Sequence, residues 1–219
     1  MPSPQLILAS ASPRRRELLG LLGYPFEVVV SGADEDAHLD DGPATYVLHT
    51  ARHKAETVSA EIAARELPSA GAAQHLIIAA DTTVALDDVI MAKPADADEA
   101  RAMLVALRGR DHEVHTAVCV LAGDGREETV VHTAIVTMRN YSDVEIDAYI
   151  ATGDPFDKAG AYAIQHPTFS PVAGLSGCYL GVMGLPLCDL IPLLRRLSLP
   201  DRFVPAALVD AHRGYLHGG

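Results

Sequence analysis

Several residue classes are scarce in this chain of 219 residues, and each shortage excludes a class of protein. Its three cysteines, Cys119, Cys178 and Cys188, are odd in number, widely spaced and set in apolar runs. Such cysteines are typical of reduced, packed thiols rather than of a disulfide framework. No apolar run approaches the roughly 20 residues of a membrane helix, and the N-terminal arginines follow a short apolar run, unlike those of a secretory signal. We therefore expect a cytoplasmic protein that has no membrane partner.

Positive charge is also scarce, because 17 Lys and Arg residues stand against 29 Asp and Glu residues, for a net charge of -12. A molecule of this sign repels the phosphate backbone of a nucleic acid, so we expect no nucleic-acid partner. A polyanionic ligand would have to meet a local cluster of cations. Several catalytic motifs are absent, namely the P-loop, the Rossmann glycine fingerprint, the zinc-protease motif and the Cys-x-x-Cys pair. Residues 174–177 also lack the spacing of a nucleophile elbow.

What is present is an alternation of short strand patterns and helical patterns, which indicates an α/β protein. With 49% apolar residues the chain can bury a substantial core, and we predict one domain over residues 1–200 and a loosely ordered tail over 201–219. The predicted strands are residues 5–9, 26–30, 76–86, 113–121, 127–138 and 179–183. The predicted helices are residues 13–22, 44–66, 96–107, 142–152 and 186–197. Residues 160–177 are predicted to form a long loop around one short strand.

The start of the first helix has an unusual composition. Ser12 is a good N-cap and Pro13 a good first helical residue, but residues 14–16 are three arginines. Cations at a helix N-terminus oppose the helix dipole, at a cost of roughly a few tenths of a kcal/mol each. A bound anion would reverse that effect, because backbone N–H groups, guanidinium groups and the hydroxyls of Ser10 and Ser12 converge there. The strand-to-helix setting favours a phosphate site over a solvated basic helix end.

Two charged residues interrupt apolar patterns. Lys54 falls on the apolar face of the helix predicted over residues 44–66, and Asp81 interrupts a buried strand pattern. A buried carboxylate is costly unless it is paired, and an ion pair with Lys54 or Lys93 would satisfy it. For Lys54, extension of the ammonium group to water is the usual explanation, and contact with an anion at the sheet edge is the alternative. A carboxylate at a strand end beside a phosphate site is also what metal-dependent phosphoryl transfer requires, and we favour that interpretation.

Taken together and in order, these features resemble the Maf family of nucleotide pyrophosphatases. The segments that carry the resemblance are residues 6–19, 51–55, 80–84, 93–94, 107–110 with 115–118, 157–165 and 179–186. The resemblance implies an α/β fold with an elongated mixed sheet flanked by helices, in two lobes with a central cleft, similar to inosine triphosphate pyrophosphatases. It implies hydrolysis of a nucleoside triphosphate to the monophosphate and pyrophosphate, by Mg- or Mn-assisted attack of water at the α-phosphorus. It is also compatible with a homodimer.

The resemblance further implies roles for individual residues. Asp81, Lys54 and Glu35 are expected to be catalytic, with Asp81 and Glu35 holding the metal or activating the water. The residues expected to bind the substrate are Ser10, Ser12, Arg14, Arg15, Thr82, Lys93 and Gln165. Cations around the triphosphate suit the charge that such a transition state develops. The sequence does not show whether Asp81 holds the metal or activates the water.

A base preference follows from the same resemblance. In the subgroup that acts on dTTP and UTP, an Arg, a Thr and a Gln align with Arg14, Thr82 and Gln165, whereas the subgroup that acts on 7-methyl-GTP differs there. A Gln amide offers both a donor and an acceptor to a pyrimidine edge. We therefore expect dTTP and UTP to be the substrates.

The chain also departs from the family pattern. Ala79 and Ala92 stand where the family usually has Gly, and residues 166–177 form an unusual loop sequence. Two other functions stay open at this point. One is a non-catalytic nucleotide-sensing regulator of cell division, and the other is a phosphatase that releases single phosphates.

Overall fold

The computed structural model describes residues 4–33, 42–65 and 75–199. Its strands are β1 (Gln5–Leu8), β2 (Phe26–Val28), β3 (His75–Leu86), β4 (Val89–Met91), β5 (Asp111–Ala122), β6 (Glu127–Met138) and β7 (Val172–Ser176). Its helices are α1 (Pro13–Gly20), α2 (Pro43–Arg65), α3 (Ala97–Leu107), α4 (Asp143–Ile150), α5 (Tyr179–Val182) and α6 (Leu187–Arg196). Two 3₁₀ turns, Asp154–Asp157 and Ala159–Ala161, follow α4.

The strands form one mixed seven-stranded sheet in the order β2-β1-β3-β5-β6-β7, with β4 also paired to β3. β1 is parallel to β2 and to β3, whereas the β3–β5, β5–β6 and β6–β7 pairs are antiparallel. The turn between β5 and β6 contains Asp124-Gly125, and Gly125 has the positive φ of 87° that this hairpin signal predicts. The predicted mixed sheet flanked by helices is therefore confirmed.

Apolar side chains form three clusters because successive residues of a strand point to opposite faces of the sheet. The first cluster joins Leu76, Ile78 and Ala80 of β3 to α1 and α6. The second cluster joins Val84 of β3 to α3 and α4. The third cluster lies on the opposite face and joins Ile77 and Ala79 of β3 to α2. The long strands β3 and β5 thus contribute to all three clusters.

Strand pairing is interrupted on the side of β3 that carries β1 and β4. β1 pairs with β3 as far as Leu8 opposite Ile78, and the backbone N–H of Ala9 donates to the carbonyl of Ile78 at 2.8 Å. β4 starts its pairing at Met91 opposite Val84. Within the described ranges, residues 79–83 of β3 have no strand partner on that side. The interruption leaves an opening in the sheet beside β3, between the end of β1 and the end of β4.

Two local predictions differ from the structure. The strand predicted over residues 179–183 is wrong, because this segment forms the short helix α5, in which the Gly181 carbonyl accepts a hydrogen bond from Thr116. Tertiary contact outweighs the alternating pattern there. β4 was not predicted, because its hairpin turns through Asp87 and Asp88, both at positive φ, instead of the usual Asn-Gly.

The three cysteines form no disulfide. Cys119 and Cys178 are buried as predicted, whereas Cys188 is exposed, because it lies on the outer side of α6. Among the described residues, no helix is long and apolar enough to cross a membrane. Glu35 and the predicted tail over residues 201–219 lie outside the described residues.

Candidate active site

A cavity of about 680 Å³ opens at the interruption between β1 and β4. Its walls come from the β1–α1 turn, the middle of α2 and β3, the segment after β4, residues 157–165 and the turn after α5. The predicted site residues that line it are Ser10, Ser12, Arg14, Arg15, Lys54, Asp81, Thr82, Lys93 and Gln165. The structure therefore brings together every predicted site residue that it describes.

The β1–α1 turn presents hydroxyl and N–H groups to the cavity. Ser12 caps α1, since its hydroxyl accepts from the backbone N–H of Arg15 at 3.4 Å, and its own N–H donates to Ser10 Oγ at 3.2 Å. Arg14 lines the cavity and forms no hydrogen bond or ion pair with another described residue. Within this part of the chain, the guanidinium of Arg14 can therefore meet an anion without breaking a contact with another side chain.

Arg15 is bound very differently from Arg14. Its Nε donates to the carbonyl of Gly184 at 2.9 Å, its Nη2 to Thr82 Oγ1 at 3.1 Å, and its Nη1 to Ser10 Oγ at 3.4 Å. These three contacts tie α1 to β3 and to the turn after α5. The guanidinium of Arg15 is thereby held in one place at the wall of the cavity.

Lys54 and Asp81 form a buried ion pair. Lys54 Nζ donates to Asp81 Oδ1 at 2.7 Å, and the two residues are only 6% and 7% exposed. The pair accounts for both charged interruptions of the sequence pattern, since α2 packs its apolar face on β3. Asp81 lines the cavity, and its Oδ2 has no hydrogen-bond partner within the described residues.

Another part of the cavity wall carries Lys93, Gln165 and a lysine that sequence reasoning did not select. Lys93 and Gln165 are exposed at the cavity. Lys158 is buried, and its ammonium donates to Asp154 Oδ1 at 2.8 Å and to Asp157 Oδ1 at 2.6 Å. Lys158 therefore fixes the 3₁₀ turn that forms this wall. Its position directly after Asp157, in a segment that carries the family resemblance, was the available signal.

His112 supports the same wall from inside the sheet. Its Nε2 lies 2.7 Å from the hydroxyl of Tyr162, which lines the cavity. His112 is 3% exposed, and burial lowers its pKa from 6.5 to about 4, although Asp111 acts in the opposite direction. The ring is therefore neutral near pH 7. Sequence reasoning did not select His112, since a lone histidine at the start of a strand has no distinctive pattern.

A fully buried threonine lies behind the cavity wall. Thr116 Oγ1 is 2.9 Å from Thr82 Oγ1 and 2.8 Å from the carbonyl oxygen of Gly181. Thr82 and Thr116 are directly opposite each other in β3 and β5, between the first and second apolar clusters. Sequence reasoning did not select Thr116 individually, although it belongs to a segment that carries the family resemblance.

The comparison with known proteins agrees with this geometry. The family model described as "Maf-like protein" matches residues 5–197. The chain is 47% identical over 195 residues to a dTTP/UTP pyrophosphatase of Myxococcus xanthus, covering 89% of this chain and 93% of that one. It is 42% identical over 204 residues to a dTTP/UTP pyrophosphatase of Ralstonia nicotianae, covering 90% of this chain and 96% of that one.

A solved structure gives a more distant likeness. A nucleoside-triphosphatase, dITP/XTP pyrophosphatase, of Mycobacterium abscessus is 15% identical, with a TM-score of 0.41, over 63% of this chain and 75% of that one. The family model and the curated relatives span nearly all of the chain. On those matches, this chain belongs to the family of Maf-like proteins.

Proposed function

We propose that this chain hydrolyses nucleoside triphosphates, dTTP and UTP above all, to the nucleoside monophosphate and pyrophosphate. The proposal is supported by membership of the Maf-like family and by the names of the relatives. The single observation that carries it is the meeting of the β1–α1 turn, the Lys54–Asp81 pair and Lys93 around one cavity.

The cavity suits a nucleotide in size and charge. A volume of about 680 Å³ is within the range of small-ligand sites, roughly 300–1,000 Å³. Arg14, Lys93 and the hydroxyls and N–H groups of the β1–α1 turn offer the positive field that three linked phosphates need. These cations counter the net charge of -12, which would otherwise repel the substrate.

Asp81 is the group that we assign to the reacting water. Lys54 fixes the carboxylate through Oδ1 and keeps its charge compensated in a buried setting. Oδ2 can then orient a water molecule toward the α-phosphorus and accept its proton as the α–β phosphoanhydride bond breaks. The cations around the leaving pyrophosphate stabilise the charge that develops on it.

A divalent metal at this site would be shared with the phosphates of the substrate. Within the described ranges, no group of three or more His, Cys, Asp or Glu side chains is placed to hold a metal ion. Mg²⁺ is usually bound through one or two carboxylates together with substrate phosphates. Glu35, which the family resemblance assigns to the metal, is the expected protein ligand, because Asp81 Oδ1 is held by Lys54 and Asp81 Oδ2 is assigned to the water. When bound, Mg²⁺ or Mn²⁺ would supply charge neutralisation at the phosphates.

The base preference is assigned to the part of the cavity wall around Gln165. Gln165 is exposed at the cavity, where its amide can pair with the carbonyl and imide groups of uracil or thymine. Ile164 and Val114 give that part of the cavity an apolar surface for a planar ring.

The reaction is tested by identifying its products. The purified chain is incubated with a panel of nucleoside triphosphates and Mg²⁺ or Mn²⁺ in heavy-oxygen water. We expect UMP and dTMP with pyrophosphate, with the heavy oxygen in the monophosphate because water attacks the α-phosphorus. Release of a nucleoside diphosphate and phosphate would instead indicate a phosphatase. Binding without turnover would indicate a nucleotide sensor.

The role of Asp81 is tested by Asp81→Asn. The amide still accepts a hydrogen bond from Lys54 but is a poor base, so we expect kcat for UTP to fall by roughly 100-fold or more. Thermal melting and calorimetric binding of UTP report whether folding and binding persist. The matched control is Asp87→Asn, since Asp87 is an exposed aspartate on the neighbouring turn. Full turnover by Asp81→Asn would remove Asp81 from the mechanism.

A further inference from the structure

A chain of hydrogen bonds runs from the phosphate end of the cavity into the core. Arg15 Nη2 is 3.1 Å from Thr82 Oγ1, Thr82 Oγ1 is 2.9 Å from Thr116 Oγ1, and Thr116 Oγ1 is 2.8 Å from the carbonyl oxygen of Gly181. Thr116 is 0% exposed and is not among the residues that line the cavity. It is therefore too deep to contact a nucleotide itself.

The donors in this chain can be assigned from elementary chemistry. The carbonyl oxygen of Gly181 can only accept, so the single hydroxyl proton of Thr116 points to it. Thr82 must then donate its own proton to Thr116 Oγ1, because otherwise two lone pairs would face each other at 2.9 Å. The guanidinium of Arg15 can only donate, so Thr82 Oγ1 accepts from it. The direction runs from Arg15 to Thr82 to Thr116 to Gly181.

This direction limits what Thr82 can do in the cavity. Its only proton is committed to Thr116, so its hydroxyl has no donor left for a nucleotide. It can hold Arg15, whose Nε is anchored a second time by the carbonyl of Gly184 at 2.9 Å. The carbonyls of Gly181 and Gly184 both belong to the turn that starts in α5. The series of hydrogen bonds therefore links that turn to Arg15 at the start of α1.

We propose that Thr116 is a positioning residue that sets, through the hydroxyl of Thr82, where the guanidinium of Arg15 stands against the phosphates. This assignment rests on the proposed function of the cavity. Thr82 contributes to substrate handling by fixing Arg15, and not by donating to the base. Without the hydroxyl of Thr116, Thr82 turns its proton to another acceptor, and the anchor of Arg15 loosens.

The test compares variants that separate the hydroxyl from the side-chain volume. Thr116→Val keeps the shape and removes the hydroxyl, whereas Thr116→Ser keeps the hydroxyl. Each of the two Thr116 variants is also combined with Thr82→Val, which removes the hydroxyl that directly contacts Arg15. Thr137→Val is the control, since Thr137 is a strand threonine whose hydroxyl donates to Asp111 and which does not line the cavity. Steady-state kinetics with UTP and calorimetric binding of a non-hydrolysable α,β-methylene UTP analogue are both measured with folded protein.

We expect Thr116→Val to lower kcat/KM by roughly 10- to 100-fold, which is the effect of losing the hydrogen bond by which Thr82 holds the charged guanidinium of Arg15. Thr116→Ser should stay within about threefold of the parent. In the Thr82→Val background, Thr116→Val should change neither kcat/KM nor analogue binding further, since the link to Arg15 is already broken. Thr137→Val should match the parent.

If the fold-decrease in kcat/KM of the double variant equals the product of the fold-decreases of Thr82→Val and Thr116→Val, Thr116 acts independently of Thr82. That result would overturn the proposal. Equal losses in Thr116→Val and Thr116→Ser would do the same. If Thr116→Val does not fold, Thr116→Ala is measured in its place against Thr116→Ser. A parent protein that binds the analogue without turnover would refute the proposed hydrolysis, while the coupling of Thr82 and Thr116 could still be measured in the binding data.

Discussion

His112 shows how one buried side chain connects stability to pH. Its pKa is lowered by burial from 6.5 to about 4, so the folded chain does not protonate it between these values. The histidine of the unfolded chain does bind a proton as the pH falls below about 6.5. This proton binding stabilises the unfolded state and so lowers the free energy of unfolding. We expect His112 alone to remove up to about 3 kcal/mol from the free energy of unfolding as the pH falls from 6.5 to about 4. Urea denaturation at a series of pH values measures it.

The contribution of His112 is isolated by substitution. His112→Gln keeps an N–H donor for the hydroxyl of Tyr162 and does not titrate, so its free energy of unfolding should depend less on pH between 6.5 and 4. His53→Gln, at an exposed position of α2, should keep the slope of the parent. The same slope in His112→Gln and in the parent would contradict this account.

At the scale of single residues, charge that conflicts with its surroundings was the most useful sequence signal. Lys54 on an apolar helix face and Asp81 in a buried strand both required an explanation, and the structure pairs them at 2.7 Å. Thr116 gave no such signal, because threonine is common in β-strands and fits the strand pattern around it. Its contacts with Thr82 and Gly181 depend on long-range packing, which no local pattern reports.

Two helix N-caps offer a comparison at the scale of elements. Ser12 caps α1 at the cavity, and Ser142 caps α4 in a full capping box with Glu145, at a position that does not line the cavity. Each serine hydroxyl accepts from a backbone N–H, at 3.4 Å and 3.3 Å respectively. We expect Ser12→Ala and Ser142→Ala each to lower the free energy of unfolding by about 1 kcal/mol. Chemical denaturation measures both.

The two caps should differ in activity. Ser12→Ala removes a hydroxyl from the proposed phosphate cradle, so kcat/KM for UTP should fall about tenfold or more, as for one lost hydrogen bond to a charged group. Ser142→Ala should keep the kcat/KM of the parent. Equal activity in the two variants would place the triphosphate somewhere other than the start of α1.

The turn after α5 is sensitive to a single methyl group. Gly184 has a φ of +112°, and a Cβ there would lie 3.3 Å from Arg15 Nε and 3.5 Å from Thr82 Oγ1. Gly153, with a φ of +77°, has nothing within 4 Å of its Cβ position. Gly184→Ala and Gly153→Ala should both lose roughly 1 kcal/mol of stability or more through backbone strain. Only Gly184→Ala should also lower kcat/KM, by about tenfold or more, because it displaces Arg15.

Element boundaries followed the sequence where local chemistry was strong. Local sequence patterns and structure agree at three places: Ser142-x-x-Glu145 forms a capping box, Asp96 accepts a hydrogen bond from the backbone N–H of Glu99 as an N-cap, and Asp124-Gly125 forms the turn between β5 and β6. The short elements β4 and α5 were not predicted, since three or four residues carry too little periodicity to separate a strand from a helix. Their conformations depend on what they pack against.

At the scale of the whole molecule, β3 and β5 connect the three apolar clusters. Each is 12 residues long, and together they carry side chains of all three apolar clusters. They also place Asp81, Thr82 and Thr116 at the boundary between clusters, next to the interruption in the sheet edge. The site exists because β3 continues past the end of β1, a consequence of strand pairing that no motif could have predicted.

We propose on this basis that the described part of the chain unfolds as one cooperative unit, as expected for a single domain. Leu19→Ala in the first cluster and Leu104→Ala in the second should each remove about 2–5 kcal/mol, since both side chains are fully buried. Because β3 and β5 are shared, each variant should shift one transition rather than create a second. Differential scanning calorimetry checks this by comparing the calorimetric and van't Hoff enthalpies. A separate early transition in Leu104→Ala alone would show that the second cluster unfolds independently of the first.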